Sequence, residues 1–225
     1  ALLDLDGRTV FSERATLASS DPRSVRTQVL KLRDAALVDP QVSQDKLLGA
    51  GVVLPGPFGT GASPRTDSEL QNWQAIDPRN WFSEVLGLPV EEENDANAAA
   101  IAEGVTGVAF GLHSYAFLYF GAGLGLGLIS DGRRLSGGHG NAGEIGRIPV
   151  ETDQGRQALE QVVSRVSAQR HLAAEGLQVT GIEDIAAIYA AGNPALMNWL
   201  DRAAAPLSQA VAMIENLFDP QTIIF

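Results

Sequence analysis

No cysteine occurs in these 225 residues, methionine appears twice, histidine three times, and aromatic residues make up only 6%. Without thiols there is no disulfide, no thiolate metal site and no cysteine nucleophile. Basic residues are scarce as well: 16 Lys and Arg stand against 27 Asp and Glu, a formal net charge of −11. A surface of that sign repels nucleic-acid phosphates and anionic lipid, so this segment is not itself a DNA-binding or membrane-binding surface. A basic module attached outside it would be unaffected. The sequence also has no run of about 18 or more apolar residues, and no basic start leading into an apolar stretch. The expected compartment is the cytoplasm.

Hydrophobic residues at 45% and charged residues at 19% describe an ordinary globular protein, and the length allows one large domain or two lobes. Ala1 to Arg14 reads as two strands around an Asp6-Gly7 turn. Val25, Val29, Leu30 and Leu32 predict an amphipathic helix over Ser24 to Ala36. The apolar stretch Leu47 to Leu54 predicts a buried strand running into a Pro55-Gly56-Pro57 loop. A helix over Asn80 to Gly87 and a short strand over Leu88 to Glu92 follow. Asn94-Asp95 then caps a helix from Ala96 to Glu103. Tyr115 to Ile129 reads as a glycine-rich hairpin, Asp131-Gly132 as a turn, and the glycines at 137, 138, 140, 143 and 146 as a loop. Helical patterns then cover 157–174, 181–191 and 194–217, before a last strand over Thr222 to Phe225. Strands alternating with helices make the class α/β. The chain begins in a strand and stops in one, which points to truncation at both ends.

Four stretches have the composition for chemistry. Glu93-Asn94-Asp95-Ala96-Asn97 brings a carboxylate and an amide to a helix N-terminus, at the strand end where α/β folds bind ligands. Taken alone, it is more often a helix cap. Gly121-Ala122-Gly123-Leu124-Gly125-Leu126-Gly127 lets backbone N–H groups approach an anion, although a plain glycine turn looks the same. No Gly-Lys-Ser/Thr follows it, so it is not a P-loop. In Gly140-Asn141-Ala142-Gly143-Glu144-Ile145-Gly146-Arg147, Glu144 is an acceptor held on a backbone of special shape. Leu159-Glu160 opens a helix, where a glutamate ordinarily only complements the dipole. His139 reads as a solvated loop residue, and His113 and His171 as surface residues without ligand-spaced partners.

In this order, together with Pro55-Gly56-Pro57, these motifs resemble the ROK family of bacterial sugar kinases and sugar-responsive repressors over nearly the whole chain. The loop around Glu144 is the most specific part. The resemblance implies a two-lobed actin-like ATPase (ribonuclease H-like) fold, with a smaller lobe over 1–110, a larger one over 111–225 and a sugar cleft between them. It implies sugar hydroxyls held by Asn94, Asp95, Glu144 and Glu160, with Asp95 as catalytic base in a kinase, and phosphate met by Gly121, Ala122 and Gly123. It also implies a homodimer or homotetramer.

Two departures bear on the role, and a third feature conceals part of the pattern. The family usually places histidine at Arg147, where it joins three downstream cysteines on zinc; here neither is present, so no zinc is expected. Arg147 would then replace the histidine's sugar contact, or pair with Glu144 or Glu160 and hold the loop without metal. Ala122 stands where the kinases commonly carry a threonine that meets nucleotide phosphates. The family's first phosphate turn would lie before Ala1 and its adenosine-contacting glycines after Phe225. The favoured reading is the sugar-binding effector domain of a ROK transcriptional regulator, touching DNA only through a module outside this chain. The alternative is an ATP-dependent hexose kinase using Mg²⁺.

Overall fold

The computed structural model describes residues 1–38, 42–54, 73 and 76–225; the Pro55-Gly56-Pro57 loop lies outside the described residues. The chain opens with strands β1 (Leu2–Leu3) and β2 (Thr9–Phe11), helix α1 (Pro22–Ala36), β3 (Ala50–Leu54), α2 (Pro78–Leu86) and β4 (Val90–Asn94). Helix α3 (Asp95–Thr106) leads to β5 (Tyr115–Phe120), β6 (Leu124–Ser130) and β7 (Arg133–Arg134). A 3-10 turn (Ile145–Arg147), β8 (Pro149–Thr152) and β9 (Gly155–Ala158) come next. Helices α4 (Leu159–Val162), α5 (Arg165–Ala174), α6 (Ile182–Ala190) and α7 (Pro194–Phe218) precede β10 (Ile223–Ile224). The class is α/β, as the alternation predicts. The described residues form two compact units divided between Glu93 and Asn94. Helix α3, which the sequence reading puts in the N-terminal lobe, therefore packs with β5 and β6.

In the first unit, Val25, Trp73, Phe82 and Val90 form the core. The indole N–H of Trp73 donates to the Ser20 carbonyl at 2.7 Å. Helix α1 starts where the Asp21 carboxylate accepts the N–H groups of Arg23 (3.0 Å) and Ser24 (3.1 Å). The Ser24 hydroxyl, with that of Ser19, holds this carboxyl well below the ordinary carboxylate range. Helix α2 ends at Gly87, whose φ of +67° is the left-handed cap geometry.

The second unit is built on a four-stranded sheet in the order β10-β5-β6-β7. Strands β5 and β6 are antiparallel, with Phe120 opposite Leu124, so Gly121-Ala122-Gly123 is a three-residue turn. Strand β10 runs parallel to β5, and β7 returns antiparallel to β6 through Asp131-Gly132, both at positive φ. Side chains alternate across the sheet. Ala116, Leu118, Leu124, Leu126 and Leu128 join one core with Val150, Leu159, Val163, Ala203, Ala210 and Ile214. Tyr115 and Ile129 meet Ala100 and Ala109 on the opposite side.

That opposite side explains the alternating glycines. Ala96, Ala100 and Gly104 recur every four residues, so they form one stripe of α3. A Cβ on Gly125 would stand 2.6 Å from the Ala96 Cβ, and one on Gly127 would stand 2.6 Å from the Ala96 carbonyl and closer still to the Ala100 Cβ. A Cβ on Gly104 would strike the Tyr115 hydroxyl, which donates to the Ala100 carbonyl at 2.8 Å. The helix lies close on the strand because the glycines carry no side chain there and the helix presents only methyls.

The helix expected over 157–174 is instead three pieces. Gln157 belongs to β9, which pairs with β8 in a hairpin closed by Thr152 opposite Gly155. Helix α4 follows, and α5 begins afresh after Ser164. Ser164 and Ser167 exchange hydrogen bonds, each hydroxyl accepting the other's backbone N–H at 3.1 and 3.2 Å. Such a reciprocal cap starts a helix and does not continue one. His171, expected at the surface, is half-buried, with its Nε2 3.0 Å from the Ala195 carbonyl oxygen.

Replacing Gly127 by alanine is expected to destabilise the protein by about 1–3 kcal/mol through overpacking. Gly138→Ala, where a Cβ meets nothing within 4 Å, is expected to stay within about 1 kcal/mol of the parent. Urea denaturation of the two variants measures the contrast. Equal stabilities would contradict the close-packing account.

Candidate functional site

The candidate residues gather at the turn end of the β5–β6 hairpin. Asn94 and Asp95 open α3, whose next residue, Ala96, rests on Gly125. The Asn94 side-chain oxygen accepts the N–H groups of Ala96 at 2.9 Å and Asn97 at 3.3 Å, a regular N-cap. Its oxygen is thereby committed to the helix. Asp95 accepts the Ala96 N–H through Oδ1 at 2.9 Å. Its Oδ2 makes no hydrogen bond among the described residues, and the residue is half-buried.

The Glu144 loop approaches the same strand from its edge. The Leu128 carbonyl accepts the Leu135 N–H at 2.9 Å. Two and four residues earlier on that edge, the Leu126 and Leu124 carbonyls are met by Gly143 and Gly146. A Cβ on either glycine would collide with the carbonyl oxygen, and Gly143 also has φ +91°. The loop thus lies against the strand backbone where β7 has ended, covering an edge that would otherwise be bare. Ile145 and Ile148 anchor it by packing on the core.

This placement orients three charged side chains. Arg147 Nε lies 2.9 Å from Glu144 Oε2, with the two side chains 39% and 35% exposed. Glu160, on α4, stands beside Gly146: a Cβ there would be 3.2 Å from the Glu160 Cβ and 3.3 Å from its Oε2. The two first residues of β6, Leu124 and Gly125, therefore link the Glu144–Arg147 pair and Glu160 to the start of α3. The turn Gly121-Ala122-Gly123 immediately precedes them. The Tyr119 ring lies over Gly121, with its Cε1 2.8 Å from where a Cβ would stand.

One residue of this loop was not singled out from the sequence. The side-chain oxygen of Asn141 is buried and has no hydrogen-bond partner among the described residues. A buried acceptor left unmet costs roughly 1–3 kcal/mol, so Asn141 is a further candidate for contact with a bound molecule. An asparagine between two positive-φ glycines was the only signal available. His139 and His113 are exposed, as expected.

The donor set does not fit the zinc that the resemblance implies for the family. Arg147, at the histidine position, is held in an ion pair, and the β8–β9 hairpin supplies no cysteine. Among the described residues no three His, Cys, Asp or Glu side chains are grouped to hold a metal ion. No chemistry is derived through a metal here.

Because both partners are more than a third exposed, the Glu144–Arg147 pair is expected to contribute no more than about 1 kcal/mol in a double-mutant cycle with Glu144→Gln and Arg147→Met. Leu159→Ala, in the core beneath, is expected to cost about 2–5 kcal/mol. A coupling of several kcal/mol in denaturant titrations would mean that the ion pair holds the loop.

The ROK family model matches residues 1–225. Among curated proteins, y4fQ of Sinorhizobium fredii is 29% identical over 99% of this chain and 56% of its own length. The xylose repressor of Bacillus spizizenii is 24% identical over 99% of this chain and 59% of its own. The glucokinase of Halalkalibacterium halodurans is 26% identical over 89% and 67%. The chain thus spans a little over half the length of the first two. Among solved structures, a ROK-family transcriptional regulator homologous to E. coli MLC superposes with a TM-score of 0.75 at 24% identity, covering 99% of this chain and 60% of that one. A ROK-family glucokinase from Streptomyces griseus, in complex with glucose and AMPPNP, also gives 0.75, at 22% identity, covering 98% and 76%. The fold is therefore that of the ROK sugar kinases, the actin-like ATPase fold. The chain belongs to the ROK family, whose members related to it include both repressors and sugar kinases.

Proposed function

We propose that this chain is the sugar-binding part of a ROK-type transcriptional regulator. The observation that carries the reading is a combination. Asp95, Glu144, Arg147 and Glu160 are gathered about the start of β6, while the adjoining turn carries Ala122, a methyl where a phosphate-binding hydroxyl would serve catalysis. Carboxylates suit carbohydrate because each accepts two or more hydroxyl hydrogen bonds. Asp95 would accept through Oδ2, with Glu144, Glu160 and Asn141 as the other acceptors. Asn94 stands next to Asp95 at the start of α3, its oxygen committed to the cap. Arg147 orients Glu144 and presents its remaining guanidinium N–H groups to an N-acetyl or acidic substituent.

With a net charge of −11, this chain leaves contact with DNA to a module outside it. Sugar binding then acts by favouring one of two states of the assembled protein, a homodimer or homotetramer working in the cytoplasm. The xylose repressor of Bacillus spizizenii, matched over 99% of this chain, supports that class of role. The second reading, an ATP-dependent hexose kinase, is favoured by the placement of Asp95, which would take the proton of the attacking hydroxyl.

Asp95→Ala is expected to weaken sugar affinity by about 1.5–3 kcal/mol, since it removes a charge-assisted acceptor. Titration calorimetry of parent and variant against a hexose panel measures this; equal affinities would contradict the site. ATP turnover over the same panel separates the two roles. The regulator reading expects none, and sugar-dependent ADP release lost in Asp95→Ala would establish the kinase.

A further inference from the structure

The second unit contains a cavity of 590 Å³ that none of Asp95, Glu144, Arg147 and Glu160 lines. Its walls come from the β8–β9 hairpin, α4, α5 and the first half of α7. The volume lies within the range of small-molecule pockets, roughly 300–1,000 Å³.

Three features of the lining define what would fit. Trp199 contributes an aromatic wall whose only polar atom is already used, its N–H donating to the Ser167 hydroxyl at 3.1 Å. Indole in that state offers an apolar surface and asks for no further partner. The charges are mixed: Glu151, Asp153 and Asp201 against Arg170 and Arg202, with Arg202 3.4 Å from Asp153. Acid outnumbers base, which disfavours phosphate, nucleotide or carboxylate ligands. Side-chain amides and the His171 ring add polar groups. Gln154, Gln157 and Gln161 line the space, and the Gln161 oxygen accepts the Ala158 N–H at 3.2 Å, leaving its NH₂ to donate inward.

An independent feature lies in α7. Pro206 sits inside this 25-residue helix and lines the cavity. A proline has no N–H, so the Arg202 carbonyl, one turn earlier on the same face, loses its helical donor. The lining also holds the Gln157–Gln154 amide pair, Nε2 donating to Oε1 at 3.4 Å. Uncharged hydroxyls, each able both to donate and to accept, match such a lining, and the C–H face of a sugar ring matches the indole.

We propose that this cavity is a second carbohydrate site, taking an uncharged mono- or disaccharide. It shares no residue with the Asp95 site and does not rest on that reading. Helix α4 joins the two, carrying Glu160 beside Gly146 and Gln161 at the cavity wall.

The test uses the full-length protein and calorimetric titration with glucose, xylose, mannose, sucrose and maltose, with inorganic phosphate as the anionic probe. In Asp95→Ala, at least one of these sugars is expected still to bind. Adding Gln157→Ala and Arg202→Ala, both at solvent-accessible side chains, is expected to weaken that binding at least tenfold with the melting temperature little changed. Three results would overturn the proposal: no sugar bound by Asp95→Ala, affinity unaffected by the two added substitutions, or phosphate displacing the sugar. The first leaves the Asp95 site standing if the parent binds. A sugar affinity unchanged by Asp95→Ala but lost on the cavity substitutions sinks that site and supports this one.

Discussion

The close approach of α3 to β6 is the constraint on which the candidate site depends. Ala96 and Ala100 meet Gly125 and Gly127 with no room for one additional methyl. Packing this tight has few alternative solutions, so it fixes where the helix N-terminus, and with it Asp95, stands relative to the strand. The opposite approach is equally confined, because Gly143 and Gly146 lie on the strand's carbonyls. Strand β6 is thus held on its face by a helix and on its edge by a loop, and both bring polar side chains to its first residues. A site of this kind is placed by backbone contact, and its side chains need little ordering of their own when a ligand arrives.

Magnitudes decide what holds the Glu144 loop. The half-exposed ion pair offers about 1 kcal/mol or less. Binding of a structural zinc is worth roughly 10–16 kcal/mol in small zinc-dependent peptides, so Arg147 cannot replace a metal energetically. Burial can. Val150 and Leu159, on either flank of the β8–β9 hairpin, are 3% and 0% exposed, and each such side chain contributes about 1.5–3 kcal/mol. Val150 in β8 and Leu159 at the start of α4 thus hold the hairpin to the core without help from the ion pair.

Much of this was legible in the sequence because it depends on local chemistry. The Asn94 cap, the Asp131-Gly132 turn and the 121–123 hairpin follow from residue types at fixed offsets. The loop motif around Glu144 identified the family that the match over residues 1–225 establishes. What was not legible depends on partners distant in the chain. Glycines 125 and 127, read as an anion cradle together with 121 and 123, serve a helix that arrives from residues 96–104. The β8–β9 hairpin was concealed because Gln157 to Ala174 has a helical pattern throughout, and the reciprocal Ser164–Ser167 cap that breaks it resembles two ordinary helix-surface serines. His171 looked like a surface residue because its partner, the Ala195 carbonyl, lies on another helix.

The position of Asp95 serves a binding protein and a kinase for the same physical reason. At the N-terminus of α3 its Oδ1 accepts the Ala96 N–H, and a carboxylate oxygen can both accept a hydroxyl hydrogen bond and take its proton. Selection for either task would preserve it. The next turn of chain is under no such double demand. A sugar does not need a hydroxyl at position 122, whereas a transferring phosphoryl group gains from every donor that reaches its oxygens. The methyl of Ala122 therefore bears on the difference between the two roles more directly than the carboxylate does.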